Sequence, residues 1–370
     1  MKCFNAPFLE VDFIIIRRYF TLSYYFYNHL NCFLESTYEM IKEIRLFAKH
    51  FLLQSGLQIL LLQTAIIVSF NSASAQAPHN NQDSVYMFSY FKNNGEDGLH
   101  LAYSSDGFNW KALFNDSSVL KPTVSKDRLM RDPCIIRGKD GRFHMVWTVS
   151  WNDKGIGYAS SPDLLHWTSQ QFLPVMQYER ETRNTWAPEI SDDDKNDSYI
   201  IYWASTIENR YPIKDTAAEG KYNHRIYYTT TKDFKKFADT KLLYDPSFSV
   251  IDATIQKDNG QYVMFLKNET RYPVEKNLHV AFAKNINGPY GKPGKSITGD
   301  YWAEGPTGMK IGDEWIVYFD KYTKHQYGAV SSSDLINWKD ISEKVHFPEG
   351  ARHGTVFKIS RDEFKRLENR

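Results

Sequence analysis

The chain has 370 residues, and its 45 lysine and arginine side chains nearly balance its 44 aspartate and glutamate side chains. The formal net charge of +1, spread without a basic stripe, excludes nucleic acid as an expected partner. Aromatic side chains make up 15% of the chain, which favours a fold with extensive aromatic packing.

The beginning of the chain has the pattern of a secretory signal. A positive start, an apolar stretch and a group of small residues follow one another at positions 42–49, 57–70 and 73–75. This order is typical of a signal peptide that is cleaved after its small residues. We therefore predict a signal peptide at residues 40–75, and a secreted or periplasmic protein without stable membrane insertion. An uncleaved membrane anchor is the alternative.

Cleavage at this point would divide the chain into parts with different roles. Residues 1–39 precede the signal, and we expect them to be an extension of the gene model or a leader. Residues 76–370 would form a single domain, which we expect to be a monomer. Cys3 and Cys32 lie in the removed part, so Cys134 remains alone and no internal disulfide is expected.

After residue 80, one type of segment occurs four times, with a carboxylate near its start and an aromatic, β-branched strand behind it. The four copies are residues 131–147, 187–203, 251–267 and 303–319. Their carboxylates are Asp132, Glu189, Asp252 and Glu304. Because each acid falls near the start of its copy, we predict that the fold returns all four to one structural position.

A second type of segment alternates with the first and contains a short strand, a Ser- or Thr-rich turn, an aspartate and an aromatic residue. Its copies are residues 99–110, 156–167, 225–237, 278–290 and 327–338. The copy at 99–110 lacks an acidic partner, which residues 352–360 supply if the last strand pairs with the first. The spacing predicts an all-β, five-bladed β-propeller, closed by pairing its N-terminal and C-terminal segments. An ordinary β-sandwich is the alternative.

Acids gathered around one axis suit glycosidic hydrolysis, which needs one protonated carboxyl and one ionised carboxylate. Arg131 precedes Asp132 and favours the ionised state that a general base needs. Trp302 stands two residues before Glu304, and we expect it to desolvate this carboxyl and raise its pKa, as a general acid requires. Asp252 has apolar neighbours, and we expect it to help the acid hold its proton.

The geometry of a propeller also bears on stereochemistry. Carboxylates from opposite blades lie across the axial funnel, and a separation of roughly 6.5–9.5 Å favours inversion of configuration. Glu189 is left with a supporting role, in which it binds sugar hydroxyls or braces the ring of acids.

Five short motifs follow one another in the chain at the spacing of the blades. They are RDP at 131–133, WAPE at 186–189, IDA at 251–253, EGP at 304–306 and RHG at 352–354. In this order they resemble the motifs of glycoside hydrolase family 43, over residues 86–359. The chain departs from the commoner family motifs at IDA, where many members have IDP, and at WAPE, where WAPD is commoner.

The resemblance implies a five-bladed propeller that inverts configuration and needs no cofactor for its chemistry. It implies that Asp132 is the general base, Glu304 the general acid, and Asp252 the residue that tunes and orients the acid. His353 matches the family's axial histidine, which makes it the candidate ligand of a structural calcium ion at the propeller axis.

The resemblance also implies an oligo- or polysaccharide substrate of plant or microbial origin, from which a terminal furanose is released. α-L-Arabinofuranose is preferred, β-D-galactofuranose is the closest rival because the two rings share their configuration, and a β-xylosidase is the next alternative. Related propellers act on fructosides or transfer sugars to phosphate, but residues 85–91 lack the acid that fructoside enzymes need. A propeller that binds carbohydrate without catalysis is the alternative of another class.

Side chains beside the axial motifs are the candidates for sugar binding. They are Glu189, Trp186, Trp302, Arg131 and Arg352, with Arg183 and Asn184 as further candidates. Packing between blades is the alternative for the tryptophans, and surface ion pairing is the alternative for the arginines. Residues 205–224 are predicted to be a loop insertion that forms one wall of the site, which favours a pocket and exo action.

Overall fold

The computed structural model of the chain describes residues 37, 40–42, 84–212 and 219–369. The chain divides into two compact units, Met1–Asn80 and Asn81–Arg370. The predicted extension and signal peptide lie almost entirely outside the described residues. Among the residues that are described, no helix is long and apolar enough to cross a membrane.

The described part of the second unit consists almost entirely of short strands. In chain order they are β1 (Ser84–Phe91), β2 (His100–Ser104), β3 (Lys111–Ala112), β4 (Arg131–Arg137), β5 (Phe143–Thr148), β6 (Ile156–Ser161), β7 (Gln171–Leu173), β8 (Trp186–Asp193), β9 (Ser198–Ser205), β10 (Arg225–Thr231), β11 (Lys241–Tyr244), β12 (Val250–Asp258), β13 (Gln261–Asn268), β14 (Asn277–Ala283), β15 (Glu304–Ile311), β16 (Glu314–Lys321), β17 (Gln326–Ser332), β18 (Lys339–Asp340) and β19 (Arg352–Ser360). One helix, α1 (Arg361–Glu368), follows the last strand.

The strands form five antiparallel sheets, which are the five blades of a propeller. Blade 1 contains β4 to β7, blade 2 contains β8 to β11, blade 3 contains β12 to β14, blade 4 contains β15 to β18, and blade 5 contains β19 and β1 to β3. The fold predicted from the sequence is confirmed. Blade 3 differs from the others in having three strands, and it contains the least regular copy of the second repeat.

The ring closes where the first described strand pairs with the last. Strand β1 pairs antiparallel with β19, from Ser84 opposite Ser360 to Phe91 opposite Arg352. Blade 5 is therefore built from both ends of the described unit, as the unpaired copy at 99–110 predicted. We call this pairing of β1 with β19 the seam. Without β19, one edge of β1 would have no partner strand.

Apolar packing is confined to the interfaces between neighbouring blades. The described core contains five clusters, and each combines buried side chains from two adjacent blades. The seam follows the same rule, because Met87 of blade 5 packs with Met145 and Trp147 of blade 1. Each blade thus buries its two faces only against its neighbours, which makes the ring the stable unit.

The aspartate of the second repeat stabilises a turn rather than serving in the cavity. In blade 1, one carboxylate oxygen of Asp163 accepts hydrogen bonds from the backbone N–H groups of Leu165 and His166, at 3.0 and 2.8 Å. The equivalent turns of blades 2, 4 and 5 use Asp233, Asp334 and Asp106 in the same way. These local bonds explain why the aspartate recurs with a fixed spacing to the residues that follow it.

A β-bulge near the start of each inner strand decides where the side chains of the five short motifs lie. In every blade, the inner strand has a four-residue segment at this point. The first and fourth residues of the segment pair with two residues of the adjacent strand that are only two positions apart. The inner strand therefore carries one extra, unpaired residue. The first residues are Arg131, Trp186, Ile251, Glu304 and Arg352. The second residues are Asp132, Ala187, Asp252, Gly305 and His353. The fourth residues are Cys134, Glu189, Thr254, Thr307 and Thr355.

This register corrects the prediction that four carboxylates share one structural position. Asp132 and Asp252 do occupy the same second position, where both have φ of 52°. Glu304 lies one residue earlier in its segment, and Glu189 lies two residues later. The motifs alone could not show this difference, because a bulge adds a residue to one strand without changing the sequence pattern around it.

Candidate active site

A cavity of about 530 Å³ lies where the inner strands begin, and all five blades contribute to its wall. Of the site residues predicted from the sequence, those that line it are Asp132, Asp252, Glu304, Arg131, Arg352, Trp186, Trp302 and His353. A larger cavity of about 970 Å³ lies between blades 1 and 2, near their outer strands, beside Leu173 and Leu242. We place the chemistry in the smaller cavity because it collects the carboxylates.

Asp132 is held as an ionised carboxylate. Its Oδ2 accepts a hydrogen bond of 2.8 Å from the Thr148 hydroxyl, and its Oδ1 lies 3.3 Å from Nδ1 of His353. Burial opposes ionisation, but the charges of His353 and Arg131 and the bond from Thr148 outweigh it and lower the pKa of Asp132 to about 2. These are the properties that a general base requires.

The pKa of Asp252 is raised rather than lowered, although Asp252 occupies the same bulge position as Asp132. Burial, together with the negative charges of Glu304 and Asp132, raises the pKa of Asp252 to about 6, against the lowering effect of His353 and Lys267. Its Oδ2 accepts a hydrogen bond of 3.0 Å from the backbone N–H of Gly305. Asp252 is therefore tied to the neighbouring blade next to Glu304.

Glu304 is surrounded by cations, which overturns the expectation of a raised pKa. Lys267 Nζ lies 3.0 Å from its Oε2, and Arg352 Nη2 lies 3.1 Å from its Oε1. Burial would raise the pKa of this carboxyl, but Lys267 and Arg352 outweigh burial and lower it. The ring of Trp302 packs against Tyr322, with centroids 5.9 Å apart.

A further buried carboxyl, Asp320, shares Arg352 with Glu304. Asp320 is opposite Glu304 in the strand pairing of blade 4, and it accepts a hydrogen bond from Nε of Arg352. Burial and the charge of Glu304 raise the pKa of Asp320 to about 6, while Arg352 lowers it. Arg352, predicted as a sugar-binding residue, thus also bridges two acids.

His353 lies between the carboxylates rather than apart from them. Burial by itself lowers the pKa of an imidazole, but the charges of Asp252 and Asp132 outweigh burial and raise the pKa of His353 to about 9. The ring packs closely on the next blade, since a Cβ added to Gly305 would lie 2.3 Å from Cγ of His353. A glycine is therefore required at that position.

These surroundings do not fit a calcium ion bound through His353. Calcium takes oxygen ligands, whereas His353 offers only ring nitrogens, and its Nδ1 already lies 3.3 Å from Oδ1 of Asp132. Within the described ranges, no group of three or more His, Cys, Asp or Glu side chains is arranged to hold a metal ion. The imidazole is better described as the charge partner of Asp132.

Glu189 does not join the residues that line the cavity. It is 6% exposed and accepts hydrogen bonds from Thr254 and Thr355, each 3.1 Å long, and a contact of 3.4 Å from the thiol of Cys134. Burial raises the pKa of Glu189 to about 7, while His353 and the three donors lower it. Its contacts link blades 1, 2, 3 and 5, which agrees with the bracing role.

Aromatic rings form one side of the cavity. Trp186 contacts Trp151 edge-to-face, with centroids 5.5 Å apart, and it also contacts Tyr222 and His224 at 4.9 and 5.0 Å. Tyr222 and His224 come from the end of the predicted insertion at 205–224, whose residues 213–218 lie outside the described part. The described end of the insertion thus contributes to one wall of the cavity.

Two further candidates have structural contacts instead. The guanidinium of Arg183 lies 4.0 Å from the ring centroid of Tyr222 and donates a hydrogen bond of 3.1 Å to the carbonyl of Gly220. The side chain of Asn184 accepts a hydrogen bond of 3.0 Å from the backbone N–H of Thr206. Both residues position the loops of blade 2.

The sequence analysis missed several residues of the cavity. They are Asn93, Asn94, Thr148, Trp151, Tyr222, His224, Ile251, Lys267, Glu269, Lys276 and Tyr322. Most of them lie on second strands or on the loops between strands, outside the repeated motifs. The pairing of the first and second strands of a blade could have revealed Lys267, because this residue lies opposite Ile251, the residue before Asp252.

Comparison with known proteins identifies a family for the chain. A family model described as a probable glycosyl hydrolase domain, related to glycoside hydrolase family 43, matches residues 82–365. An α-L-arabinofuranosidase from Bifidobacterium longum is 26% identical over 185 residues, which are 45% of this chain and 17% of that protein. The chain therefore spans less than a fifth of the length of this curated relative.

Three of the similar solved structures illustrate the comparison. A thermostable family-43 glycoside hydrolase is 17% identical and gives a TM-score of 0.48, covering 62% of this chain and 82% of its own. An α-L-arabinofuranosidase from Lactobacillus brevis is 17% identical, with a TM-score of 0.45 and coverage of 57% and 72%. An exo-β-1,3-galactanase from Phanerochaete chrysosporium is 12% identical, with a TM-score of 0.45 and coverage of 60% and 52%.

Proposed function

The chain belongs to the family of glycosyl hydrolase domains related to glycoside hydrolase family 43, and we propose that this glycoside hydrolase releases terminal α-L-arabinofuranose with inversion of configuration. The observation that carries the proposal is one cavity that holds an ionised Asp132 together with the carboxyl groups of Asp252 and Glu304. An inverting hydrolase requires this combination of a base and a separate acid.

In the proposed mechanism, Asp132 activates water. The water oxygen forms a bond to the anomeric carbon while Asp132 accepts a proton from the same water molecule. The bond between that carbon and the leaving oxygen breaks, and the leaving oxygen takes a proton from Glu304. Water attacks the face opposite the leaving group, so the configuration inverts. Exchange with solvent then returns both carboxyl groups to their starting states.

The proton that the reaction needs is shared between Asp252 and Glu304. Lys267 and Arg352 lower the pKa of Glu304, whereas the neighbouring Asp252 has a raised pKa. Two interacting carboxyls titrate as a pair, so a proton held by one is available to the other. Asp252 is thus proposed to store the proton that Glu304 delivers to the leaving oxygen.

The choice of arabinofuranose rests on the motif resemblance and on the named activity of the Bifidobacterium longum relative. The proposal of exo action rests on the aromatic wall around Trp186, to which Tyr222 of the insertion at 205–224 contributes. β-D-Galactofuranose and β-D-xylose are the alternatives that the same assay separates.

A panel of 4-nitrophenyl glycosides tests the substrate. We expect hydrolysis of the α-L-arabinofuranoside, with the β-anomer of arabinose as the first product in proton NMR spectra. We expect Asp132→Asn and Glu304→Gln to reduce kcat/KM for an arabino-oligosaccharide by about 10²–10⁴-fold. Asp233→Asn, in an exposed turn of blade 2, is the matched control and should keep full activity.

The outcomes distinguish the alternatives. Hydrolysis of only the galactofuranoside or only the xyloside would replace arabinofuranose as the substrate. Full activity of a folded Asp132→Asn or Glu304→Gln variant would remove the mechanism.

We also propose that the protein is secreted or periplasmic and is cleaved after Ala75. The support is the order of positive, apolar and small residues before this position. Sequencing of the mature N-terminus is expected to give Gln76 as the first residue, and a start far from Gln76 would contradict the proposed cleavage.

A further inference from the structure

A buried lysine contacts the proposed general acid. Lys267 is 1% exposed, and its Nζ lies 3.0 Å from Oε2 of Glu304 and 2.7 Å from Oε2 of Glu269. A lysine ammonium is costly to bury unless carboxylates compensate its charge. The two contacts provide that compensation, so burial and charge together fix the ammonium between two acids.

The position of Lys267 is set independently of Glu304. The lysine lies on β13 opposite Ile251, within the regular pairing of blade 3. On its other side, Glu269 holds Lys267 and also pairs with the buried Lys276. This network lies within blade 3, whereas Glu304 belongs to blade 4. The ammonium is therefore a fixed point to which the carboxyl of the next blade is bound.

We infer, on the basis of the proposed hydrolase function, that Lys267 is a positioning residue that orients the Glu304 carboxyl and sets the upper pH limit of catalysis. With Arg352 on the other oxygen, each oxygen of Glu304 has one cationic partner. A carboxyl held at both oxygens has a fixed orientation towards the leaving group. Lys267 itself neither donates nor accepts a proton in the reaction.

Some of the other charged groups around Glu304 lower its pKa, and others raise it. His353 adds to the effect of the cations, while Asp252 and Asp320 are acids that oppose ionisation of Glu304. The phenol of Tyr322 completes the surroundings, with its ring centroid 4.6 Å from the ammonium of Lys267. Since a cation within about 4–6 Å typically lowers a carboxyl pKa by about 1–3 units, loss of Lys267 should have a measurable effect.

The test is a titration of the Glu304 carboxyl in the full chain. Protein carrying ¹³C at the glutamate side-chain carboxyl carbons is titrated by NMR, and Glu304→Gln identifies the signal. We expect Lys267→Met to raise the midpoint of this signal by about 1–3 pH units. We also expect the alkaline limb of kcat/KM for α-1,5-linked arabinobiose to move upwards, because the acid then stays protonated to higher pH.

Two matched variants separate charge from structure. Lys267→Arg keeps the cation and should keep the midpoint within about half a pH unit. Lys276→Met removes an equally buried lysine that contacts Glu269, and we expect a smaller displacement of the Glu304 midpoint. If Lys267→Met does not fold, Lys267→Gln takes its place, since it keeps a hydrogen-bond donor without the charge.

The result that would overturn the inference is an unchanged Glu304 midpoint in a folded Lys267→Met or Lys267→Gln variant. An equal change in Lys276→Met would also overturn it, because the effect would then belong to the whole network. Failure of the proposed function gives a different result. In that case arabinobiose is not cleaved by the wild-type protein, while the NMR titration still measures the effect of Lys267 on Glu304.

Discussion

At the scale of single residues, charged neighbours rather than position determine what each carboxyl does. Asp132 and Asp252 have the same bulge position and the same φ of 52°. Both are largely buried, since Asp252 is 6% exposed and the side chain of Asp132 is 11% exposed. Their pKa values nevertheless move apart, to about 2 and about 6. The separation arises because His353 and Arg131 outweigh burial at the first, whereas burial and Glu304 prevail at the second. The proposed roles of acid and base thus follow from environment.

This separation predicts a pH dependence. The reaction needs an ionised Asp132, which its pKa of about 2 provides over the whole working range. It also needs one proton on the pair of Asp252 and Glu304, which is lost as the pH rises through about 6. We therefore expect kcat/KM for arabinobiose to fall tenfold for each pH unit above about pH 6. Initial rates across this range measure it, and a flat profile up to about pH 8 would contradict it.

At the scale of elements, bulges and turns carry different parts of the repeat. The bulges of the inner strands place side chains in the cavity, so they are the part of each copy that reaches the proposed site. The turns of the second repeat are held by local hydrogen bonds from aspartates such as Asp163. Both features keep a fixed spacing in the sequence, but only the first lies near the proposed chemistry.

The turn aspartates should therefore affect stability and not catalysis. We expect Asp163→Ala to lower the free energy of unfolding by about 1 kcal/mol, because two backbone N–H groups lose their acceptor. Urea unfolding measures the change, and Ser169→Ala, at an exposed position of the same blade, is the control. The value of kcat/KM at a temperature where both variants are folded should equal that of the wild type. A large loss of activity would place Asp163 in the active site instead.

At the scale of the whole molecule, the cavity exists only when the five blades close into a ring. The cavity takes residues from all five blades, and the apolar clusters between blades hold those residues in register. Blade 5 depends on both ends of the described unit, since β19 pairs with β1. The seam is thus the place where loss of one strand affects two interfaces, those with blade 1 and with blade 4.

Removal of the last strand tests this dependence. A chain that ends at Gly350 lacks β19 and α1, and it also loses Arg352 and His353 from the cavity. We expect this truncation to abolish the cooperative thermal transition, because β1 and the two adjacent apolar clusters become exposed. Removal of residues 369–370 alone is the control. A cooperative transition at the wild-type temperature in the longer truncation would show that the seam is dispensable.

Sequence patterns predicted the architecture well because the patterns are local. Turn residues, alternating strands and repeat spacing gave the number of blades and the closure of the ring, which β1 and β19 confirm. The motifs also brought Asp132, Asp252 and Glu304 to one cavity. Glu189 followed the same spacing but lies elsewhere, since the register of its bulge could not be derived from spacing.

The sequence by itself therefore determined the propeller and the pairing of its two ends, because the repeat spacing marks each blade and shows which copy lacks a partner. It also supplied the candidate acids. The tertiary structure decided the protonation of those acids. Lys267 and Arg352, which set the state of Glu304, are 37 and 48 residues away in the chain. Electrostatic effects depend on distance in space and on burial, and both arise only when the blades pack around their axis.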